Sequence, residues 1–231
     1  MAKFGKIRNC LDCMMKAPPF KLLSKSELEL INEYRLEVKY NEGEVIFKQG
    51  TSLTHLIILN YGLAKVYLEG TNKKNLILRY LKPSEFLGWP GAFIDNRHHF
   101  SVAAVTESLA CLININIFKQ ILQQNSDFSL AYIKNTSEAS IRRFDKLINL
   151  TQKHMHGRIA SALIYINDEV YNNNTYDLSI TKQDLAELTG MNKDSAGRIL
   201  KEFTDSEIIS VNKNKIEIIN FDLLKQISEF G

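Results

Sequence analysis

The chain has 231 residues, of which 45% are hydrophobic and 24% charged, with a formal net charge of +3. This is the composition of a globular protein long enough for two modest domains, and so small a charge permits a nucleic-acid partner without requiring one. No apolar run approaches the roughly 18 residues of a membrane span, three cysteines are too few for a disulfide framework, and charges interrupt the N-terminal stretch where a signal peptide needs its apolar core. We therefore expect a cytoplasmic protein with no membrane partner.

The first half of the chain has the pattern of a β domain. Ser24, with Glu27 three residues later, forms a capping-box pattern that predicts a short helix. Residues 35–113 then alternate short apolar runs with glycine-containing turns, in the segments VKYNEGEVIF, HLIILNYGLAKVYLEG, NLILRYL and FSVAAV. Runs and turns at this spacing predict a small barrel or jelly roll.

From about residue 114 the apolar period becomes helical. A long helix with an apolar stripe follows, and this stripe either packs on its own domain or pairs with a second copy of the chain. His156-Gly157 marks a break, so a second helix is predicted to start near Met155, and the asparagine-rich stretch near 168–177 is predicted to be a loop. The stripe consists of Leu130, Ile133, Ile141, Phe144, Ile148, Met155, Ile159, Leu163 and Ile166.

Two short helices joined around a glycine are predicted next. Thr181 can cap the first helix, with Asp184 near its positive end, and Gly190 can end it. Asn192 can cap the second helix, which has an apolar face. This arrangement is a helix-turn-helix, in which the start of the second helix enters the major groove of DNA. The segment IISVNKNKIEII, with Lys213 at its turn, is predicted to be a hairpin wing over the phosphates.

The second of these helices carries charges opposite its apolar face. Lysine and arginine can bind guanine acceptors, and a carboxylate can accept from the cytosine amino group; the alternative is an ordinary solvated helix face. Gly197 costs roughly 1 kcal/mol relative to alanine inside a helix, so we predict that it allows close approach of another backbone, either the first helix or DNA. The predicted DNA-binding residues are Thr181, Lys182, Lys193, Asp194, Ser195, Gly197, Arg198, Lys201 and Lys213.

The segment ITKQDLAELTGMNKDSAGRILKEFTDSEIIS resembles the helix-turn-helix of the Crp/Fnr family of bacterial regulators. Gly197 and Arg198 match the family pattern Arg-Glu-x-x-Gly-Arg, whereas Lys193 and Asp194 depart from it conservatively and leave the operator bases open. YNEGEVIFKQG, HLIILNYGLAKVY, LKPSEFLGWPGAF and HGRIASAL resemble further family segments in the family order, so the likeness covers nearly the whole chain.

The resemblance implies an α+β fold with three parts. These are an N-terminal β-roll, a double-stranded jelly roll like that of cyclic-nucleotide-binding domains, over residues 1–125; a dimerisation helix over 126–153; and a winged helix-turn-helix over 154–231. It also implies a homodimer that binds double-stranded DNA at a near-palindromic operator and works with RNA polymerase as a regulator, not an enzyme.

The effector cassette departs from that of the family's cyclic-nucleotide binders. In those proteins a Gly-Glu pair binds the ribose and a downstream Arg-Ser or Arg-Thr pair neutralises the phosphate. Here Trp89 and Pro90 follow Gly88, and Phe100 precedes Ser101. Because a buried phosphate needs a cation and a hydroxyl, we predict that cyclic AMP is not bound in the usual mode. The candidate effector pocket comprises Gly88, Trp89, Phe93, Phe100 and Ser101. It either binds a small molecule still to be identified or is filled by these side chains themselves.

Three cysteines leave a redox or metal role open. Cys10 and Cys13 form a CxxC pair, and Cys111 resembles the internal ligand of Fnr-type iron–sulfur sensors, but the third N-terminal cysteine of those sensors is absent. The alternatives are a thiol or metal redox sensor, a buried apolar role for Cys111, and, in another class, a thiol oxidoreductase using Cys10 and Cys13. No cofactor is assigned. An iron–sulfur cluster and haem remain open, although the histidines are expected at surface or capping positions. A ligand-binding module whose helix-turn-helix contacts protein is a further alternative.

Overall fold

The computed structural model describes residues 9–87, 89–172, 175–177, 180–212 and 215–231. Internal contacts divide it into two compact units. The first unit contains the chain up to Val66 together with Leu81–Ile141, and the second contains Tyr67–Tyr80 together with Arg142–Gly231. The candidate effector residues therefore belong to the first unit and the helix-turn-helix to the second.

Two sheets form the predicted β-roll. In the three-stranded sheet, β7 lies between β1 and β3 and runs antiparallel to both. The four-stranded sheet has the order β2, β6, β4, β5. In chain order the strands are β1 (Leu36–Tyr40), β2 (Val45–Phe47), β3 (His55–Tyr61), β4 (Ala64–Leu68), β5 (Leu76–Leu81), β6 (Ser101–Ala104) and β7 (Ser108–Asn114).

The turn between β3 and β4 requires a glycine. Gly62 has a φ of 89°, and a Cβ at this position would lie 2.4 Å from the carbonyl oxygen of Glu107. An L side chain would be both strained and overlapped there. Both β3 and β7 bury most of their side chains, which explains why these strands are continuous apolar runs instead of alternating ones.

Helices close one side of the first unit. The predicted capping box of α1 (Lys25–Tyr34) is confirmed, since the Ser24 hydroxyl accepts from the Glu27 amide and the Glu27 carboxylate accepts from the Ser24 amide. Helix α2 (Ile115–Gln124) follows β7. An aromatic cluster with ring centroids 5.2–5.9 Å apart packs between these elements and consists of Phe20, Phe86, Phe118, Phe128 and Tyr132.

Helix α3 (Ser126–Gln152) is 27 residues long. It buries Phe128 and Tyr132 near its start, while most of its remaining apolar residues are exposed. None of the helices in the described ranges combines the length and the apolar character needed to cross a bilayer.

The second unit holds the winged helix-turn-helix. A three-stranded sheet in the order β8, β10, β9 lies beside its helices. The elements are α4 (Met155–Tyr165), a π-helical turn (Ile166–Tyr171), β8 (Thr175–Asp177), α5 (Lys182–Thr189), α6 (Lys193–Asp205), β9 (Ile209–Asn212), β10 (Lys215–Ile218) and α7 (Phe221–Phe230).

The prediction of a loop near 168–177 is wrong over most of this segment. The helix that starts at Met155 continues as the π-helical turn to Tyr171, and Asn172 ends it in the left-handed region with a φ of 52°. Strand β8 then pairs antiparallel with β10. A polar sequence without apolar periodicity carries no signal for a strand whose partner lies 40 residues downstream, since pairing is decided by tertiary contacts.

Candidate DNA-binding surface and effector pocket

Helix α5 is held at both ends by hydrogen bonds. At its start the Thr181 hydroxyl accepts from the Asp184 amide at 3.1 Å, and the Asp184 carboxylate accepts from the Thr181 amide at 2.9 Å. At its end Gly190 has a φ of 64°, as glycine readily adopts, and the Lys146 ammonium donates to the Leu188 carbonyl at 2.5 Å. Burial lowers the pKa of Lys146 to about 8.

Helix α6 starts and packs as its sequence predicts. The side-chain oxygen of Asn192 accepts from the Ser195 amide at 2.7 Å and caps the helix. One face is buried in the unit, which leaves the opposite face in solvent. The buried residues are Ala196, Ile199, Leu200 and Phe203.

The exposed face of α6 carries the predicted base-contacting side chains. Lys193, Asp194, Arg198 and Lys201 are exposed and Ser195 is half-buried. The Arg198 Nε lies 3.8 Å from a Glu202 carboxylate oxygen, in a pair whose side chains are 62% and 46% exposed. Exposed pairs of this kind contribute little to stability, so the guanidinium can turn to another acceptor at small cost.

Two further predicted residues lie at the start of α5. Thr181 and Lys182 are exposed there, and both line a pocket of about 160 Å³ together with Gly197 and Lys201 of α6. The structure thus brings the start of α5 and the middle of α6 together on one surface. Thr204 and Val211, which also line it, were missed by the sequence analysis because neither position carries a charge or a motif.

Gly197 has open space around it. Apart from its two chain neighbours and the nearby backbone of α6 itself, no atom of the described ranges lies within 4 Å of a Cβ built on Gly197. The expectation that the first helix approaches this glycine is therefore wrong, because the two helices are separated at this point by the pocket. The alternative, an approach by DNA, stays a prediction.

The wing consists of β9 and β10. The two strands pair antiparallel, with Lys215 opposite Asn212 and Ile218 opposite Ile209, and Ile216 and Ile218 are buried. The predicted DNA-binding residue Lys213 lies outside the described residues.

The candidate effector pocket contains closely packed aromatic side chains. Trp89 and Phe100 are 1% and 6% exposed, and their ring centroids lie 5.1 Å apart. His98 is 2% exposed, stacks on Phe47 at 4.5 Å and meets the Trp89 ring edge-on at 5.1 Å. Four rings thus occupy this part of the β-roll.

His98 corrects the expectation that the histidines lie at the surface. Burial lowers its pKa to about 4, so the imidazole is neutral at physiological pH. Its neighbour His99 is exposed and pairs with Asp95 at 3.1 Å. The sequence His98-His99 does not indicate which of the two rings is buried, and Phe47 lies in no recognisable motif. The part that His98 and Phe47 play in this aromatic group could therefore be seen only in the tertiary structure.

The other candidate effector residues are not part of this aromatic group. Phe93 is 56% exposed and packs on Tyr132 with a centroid distance of 5.9 Å. The buried Ser101 hydroxyl accepts from the Gln49 amide at 2.8 Å. The Arg97 guanidinium, nearby in sequence, donates to the Gly50 carbonyl at 2.9 Å. Gly88 lies outside the described residues.

Two of the three cysteines, Cys10 and Cys111, lie near Arg35, whose side chain is 5% exposed. The Asn32 side-chain oxygen accepts from the Cys10 amide at 3.0 Å and from the Arg35 Nε at 3.2 Å. An Arg35 Nη lies 3.8 Å from the Cys111 sulfur. Burial raises the pKa of Cys10, and raises that of Cys111 to about 11, against the opposing charge of Arg35.

These residues do not fit an iron–sulfur cluster. Such clusters use four ligands, usually thiolates, and the chain has three cysteines. Within the described part of the chain, no three His, Cys, Asp or Glu side chains are grouped as a metal site.

Comparison with known families covers both units. Residues 37–125 match the cyclic nucleotide-binding domain and residues 157–227 match the Crp-like helix-turn-helix domain. With both domains in this order, the family is decided. The chain belongs to the Crp/Fnr family of transcription regulators.

Individual relatives agree with this membership. The chain is similar to the cAMP-activated global transcriptional regulator CRP of Salmonella typhimurium, with 26% identity over 78% of this chain and 88% of that protein. It is also similar to the fumarate and nitrate reduction regulatory protein of Vibrio cholerae, with 22% identity over 95% of this chain and 90% of that protein. A crp/fnr-family structure from Eubacterium rectale, 16% identical, has a TM-score of 0.76 and covers 92% of this chain and 98% of its own. At that identity the structural likeness supports the Crp/Fnr fold alone.

Proposed function

We propose that this Crp/Fnr-type regulator binds DNA as a homodimer and recognises a specific, near-palindromic operator through α6. The observation that carries the proposal is the exposed face of α6, where Lys193, Asp194, Arg198 and Lys201 stand opposite a fully buried apolar face. Side chains of these types match the donor and acceptor pattern of base edges in the major groove.

The dimer is supported by the apolar stripe of α3. Large apolar side chains on a helix are normally buried, and those of this stripe are 50–67% exposed in the single chain. Their spacing of three to four residues, or a multiple of it, suits pairing with the same helix of a second copy. The exposed residues are Leu130, Ile133, Ile141, Phe144 and Ile148.

The symmetry of such a dimer sets the form of the operator. A two-fold dimer presents two α6 helices to successive major grooves, so it favours inverted half-sites about one helical turn apart. RNA polymerase is proposed as a further partner and the cytoplasm as the location, in keeping with the transcription regulators of this family.

We further propose that cyclic AMP is not the effector in the usual binding mode. Four aromatic rings pack where a polar ligand would need donors, the Ser101 hydroxyl is bonded to the Gln49 amide, and Arg97 is bonded to Gly50. Burying a cyclic phosphate there without a cation would be costly. We do not propose regulation through Cys10 and Cys111, because the raised pKa of each thiol keeps it protonated at neutral pH and protonated thiols react slowly.

The DNA-binding proposal is tested by gel shift on promoter fragments from the source genome across a salt series. We expect one or more fragments to bind far more tightly than a shuffled duplex of equal length, with affinity falling as salt rises. Equal binding of all fragments, with and without candidate effectors, would remove the proposal of sequence-specific recognition.

The dimer is tested separately by light scattering coupled to gel filtration. Glutamate in place of both Ile141 and Phe144 should give a monomer, because two charges would be buried unpaired in the interface. The matched control is glutamate in place of Lys25 and Tyr34 on α1, both of them exposed. A dimer that survives the first pair of changes would show that α3 is not the interface.

The cyclic AMP proposal is tested by calorimetric titration of the wild type, in which we expect no heat of specific binding.

A further inference from the structure

His156 connects the start of α4 to the exposed face of α6. Its Nε2 lies 2.7 Å from one carboxylate oxygen of Glu202, and the other carboxylate oxygen lies 3.8 Å from the Nε of Arg198. The His156 ring also lies beside the buried Phe203 of α6, with ring centroids 6.1 Å apart. Glu202 is therefore placed between a histidine and the arginine that is proposed to read DNA bases.

The contact between His156 and Glu202 contributes little to stability. Their side chains are 47% and 46% exposed, and exposed ion pairs add little to the free energy of folding. The same two helices bury Ile159 and Ile199 completely, and burial of such side chains is what stabilises them in the unit. The main effect of the contact is therefore on the charge of the surface.

The net charge of the three polar side chains depends on one proton. An ionised carboxylate only accepts hydrogen bonds, so a neutral His156 has to donate from Nε2. The positive Arg198 and the negative Glu202 then cancel, and the group is neutral. A proton at Nδ1 of His156 gives the group one positive charge, and histidine ordinarily takes up this proton between about pH 5 and 8.

Cations near the start of α4 make contacts of their own. The Lys153 ammonium donates to the Ser161 hydroxyl at 2.8 Å, and Arg158 donates to the Lys153 carbonyl at 2.9 Å. In the described ranges, Glu202 is the ion-pair partner of His156. The further titratable or charged groups around this turn are Lys153, His154, Arg158 and, on α7, Glu229, which acts on Lys153.

We propose that protonation of His156 controls the DNA affinity of α6 through Glu202. While His156 is neutral, the Glu202 charge repels phosphates and competes with DNA for Arg198. Once His156 is protonated, it balances the Glu202 charge, so Arg198 is free to bind DNA and the surface attracts phosphates more strongly. His156 and Glu202 are thus positioning residues for Arg198, and the inference rests on the proposed DNA-binding function.

The test is fluorescence anisotropy with the full-length protein, the tightest promoter fragment and a shuffled duplex, at constant ionic strength. We expect affinity for both duplexes to fall about three- to tenfold from about pH 6 to about pH 8, because one positive charge near the phosphates is lost. His156→Gln keeps a neutral donor and should bind at every pH as the wild type does at the upper end. There, Glu202→Gln should bind the shuffled duplex more tightly than the wild type.

Two further histidines provide matched controls. His99 lies in the first unit, and its Nε2 lies 3.1 Å from a carboxylate oxygen of Asp95 at a similarly exposed site. His154 lies two residues before His156 in the chain. His99→Gln and His154→Gln should each keep the pH dependence of the wild type, and thermal unfolding at each pH checks that all variants are folded.

The outcomes separate this inference from the proposed function. A pH dependence that persists in His156→Gln, or that disappears in His154→Gln, would overturn the assignment to His156. A wild type whose affinity does not change with pH would overturn the inference and leave sequence-specific binding intact. Equal, pH-dependent binding of both duplexes would support the inference and remove the proposed function. If His156→Gln does not fold, unchanged affinity of Glu202→Gln at the upper pH would still overturn the inference.

Discussion

In the first unit, Trp89 fills the candidate effector pocket with an indole ring, whereas in the second unit Gly197 leaves open the helix face that is predicted to meet DNA. Trp89 is 1% exposed and touches the rings of Phe47, His98 and Phe100. A Cβ built on Gly197 would meet no atom within 4 Å in the part of the chain that is described, apart from its chain neighbours and the nearby backbone of α6.

The difference separates what each region contributes. The aromatic group around Trp89 contributes to the stability of its unit, since buried rings are among the largest apolar contributions to a core. Gly197 contributes nothing comparable and costs the helix about 1 kcal/mol. Such a cost is tolerated where a partner needs the space, so α6 is the place to test function and the β-roll the place to test stability.

The largest expected effect comes from breaking the filled pocket. Trp89→Ala should lower the free energy of unfolding of the first unit by about 3–5 kcal/mol, because the cavity cannot fully collapse. Phe93→Ala, at an exposed ring nearby, should cost less than about 1 kcal/mol. Denaturant unfolding followed by circular dichroism measures both. Equal losses would mean that the two rings are equivalent and that the pocket is not filled as described.

On the DNA-binding side, Arg198→Ala should weaken binding to the preferred promoter fragment by about 1–3 kcal/mol and relax the choice at one base position. Its effect on a shuffled duplex should be much smaller. Lys25→Ala, an exposed cation on α1, is the control for the lost charge. An equal loss on both duplexes would assign Arg198 to phosphates and not to bases.

Each unit contains a buried titratable side chain that makes its stability depend on pH, His98 in the first unit and Lys146 in the second. The pKa of His98 falls from 6.5 to about 4 and that of Lys146 from 10.5 to about 8, both by burial. Between its folded and unfolded pKa, each group is protonated in the unfolded chain but not in the folded chain. The stability of the fold therefore rises with pH between about 4 and 6.5 because of His98, the acid window, and between about 8 and 10.5 because of Lys146, the alkaline window.

The variants His98→Phe and Lys146→Met separate the two contributions. The first should flatten the acid window alone and the second the alkaline window alone, as measured by urea unfolding at a series of pH values. A variant that flattens neither window would show that its side chain does not carry the proton in question.

The smallest expected effect concerns the acidic neighbour of Arg198. A carboxylate oxygen of Glu202 also lies 2.7 Å from the Nε2 of His156, and both side chains are about half exposed. Glu202→Gln should change the unfolding free energy by less than about 1 kcal/mol and should raise affinity for a shuffled duplex, since one negative charge near the phosphates is removed. Fluorescence anisotropy at low salt measures the second effect. Reduced affinity would mean that Glu202 is needed to orient Arg198.

Local patterns predicted much of the fold. The capping residues Ser24, Thr181 and Asn192 are confirmed, as is the start of α4 at Met155, because caps and helix breaks depend on residues three or four positions apart. The π-helical turn and β8 were not predicted, since they depend on contacts distant in sequence. The burial of His98 was not predicted for the same reason.

By itself, the sequence determined the family, the order of the two domains and the helix-turn-helix, because these depend on short-range periodicity, caps and a recognisable motif. Only the tertiary structure decided which rings fill the β-roll, that burial raises the pKa of Cys10 and Cys111 beside Arg35, and that Gly197 opens onto a pocket instead of meeting α5. These properties depend on which side chains meet across the fold, and the free energy of burial acts on those contacts and not on the local pattern.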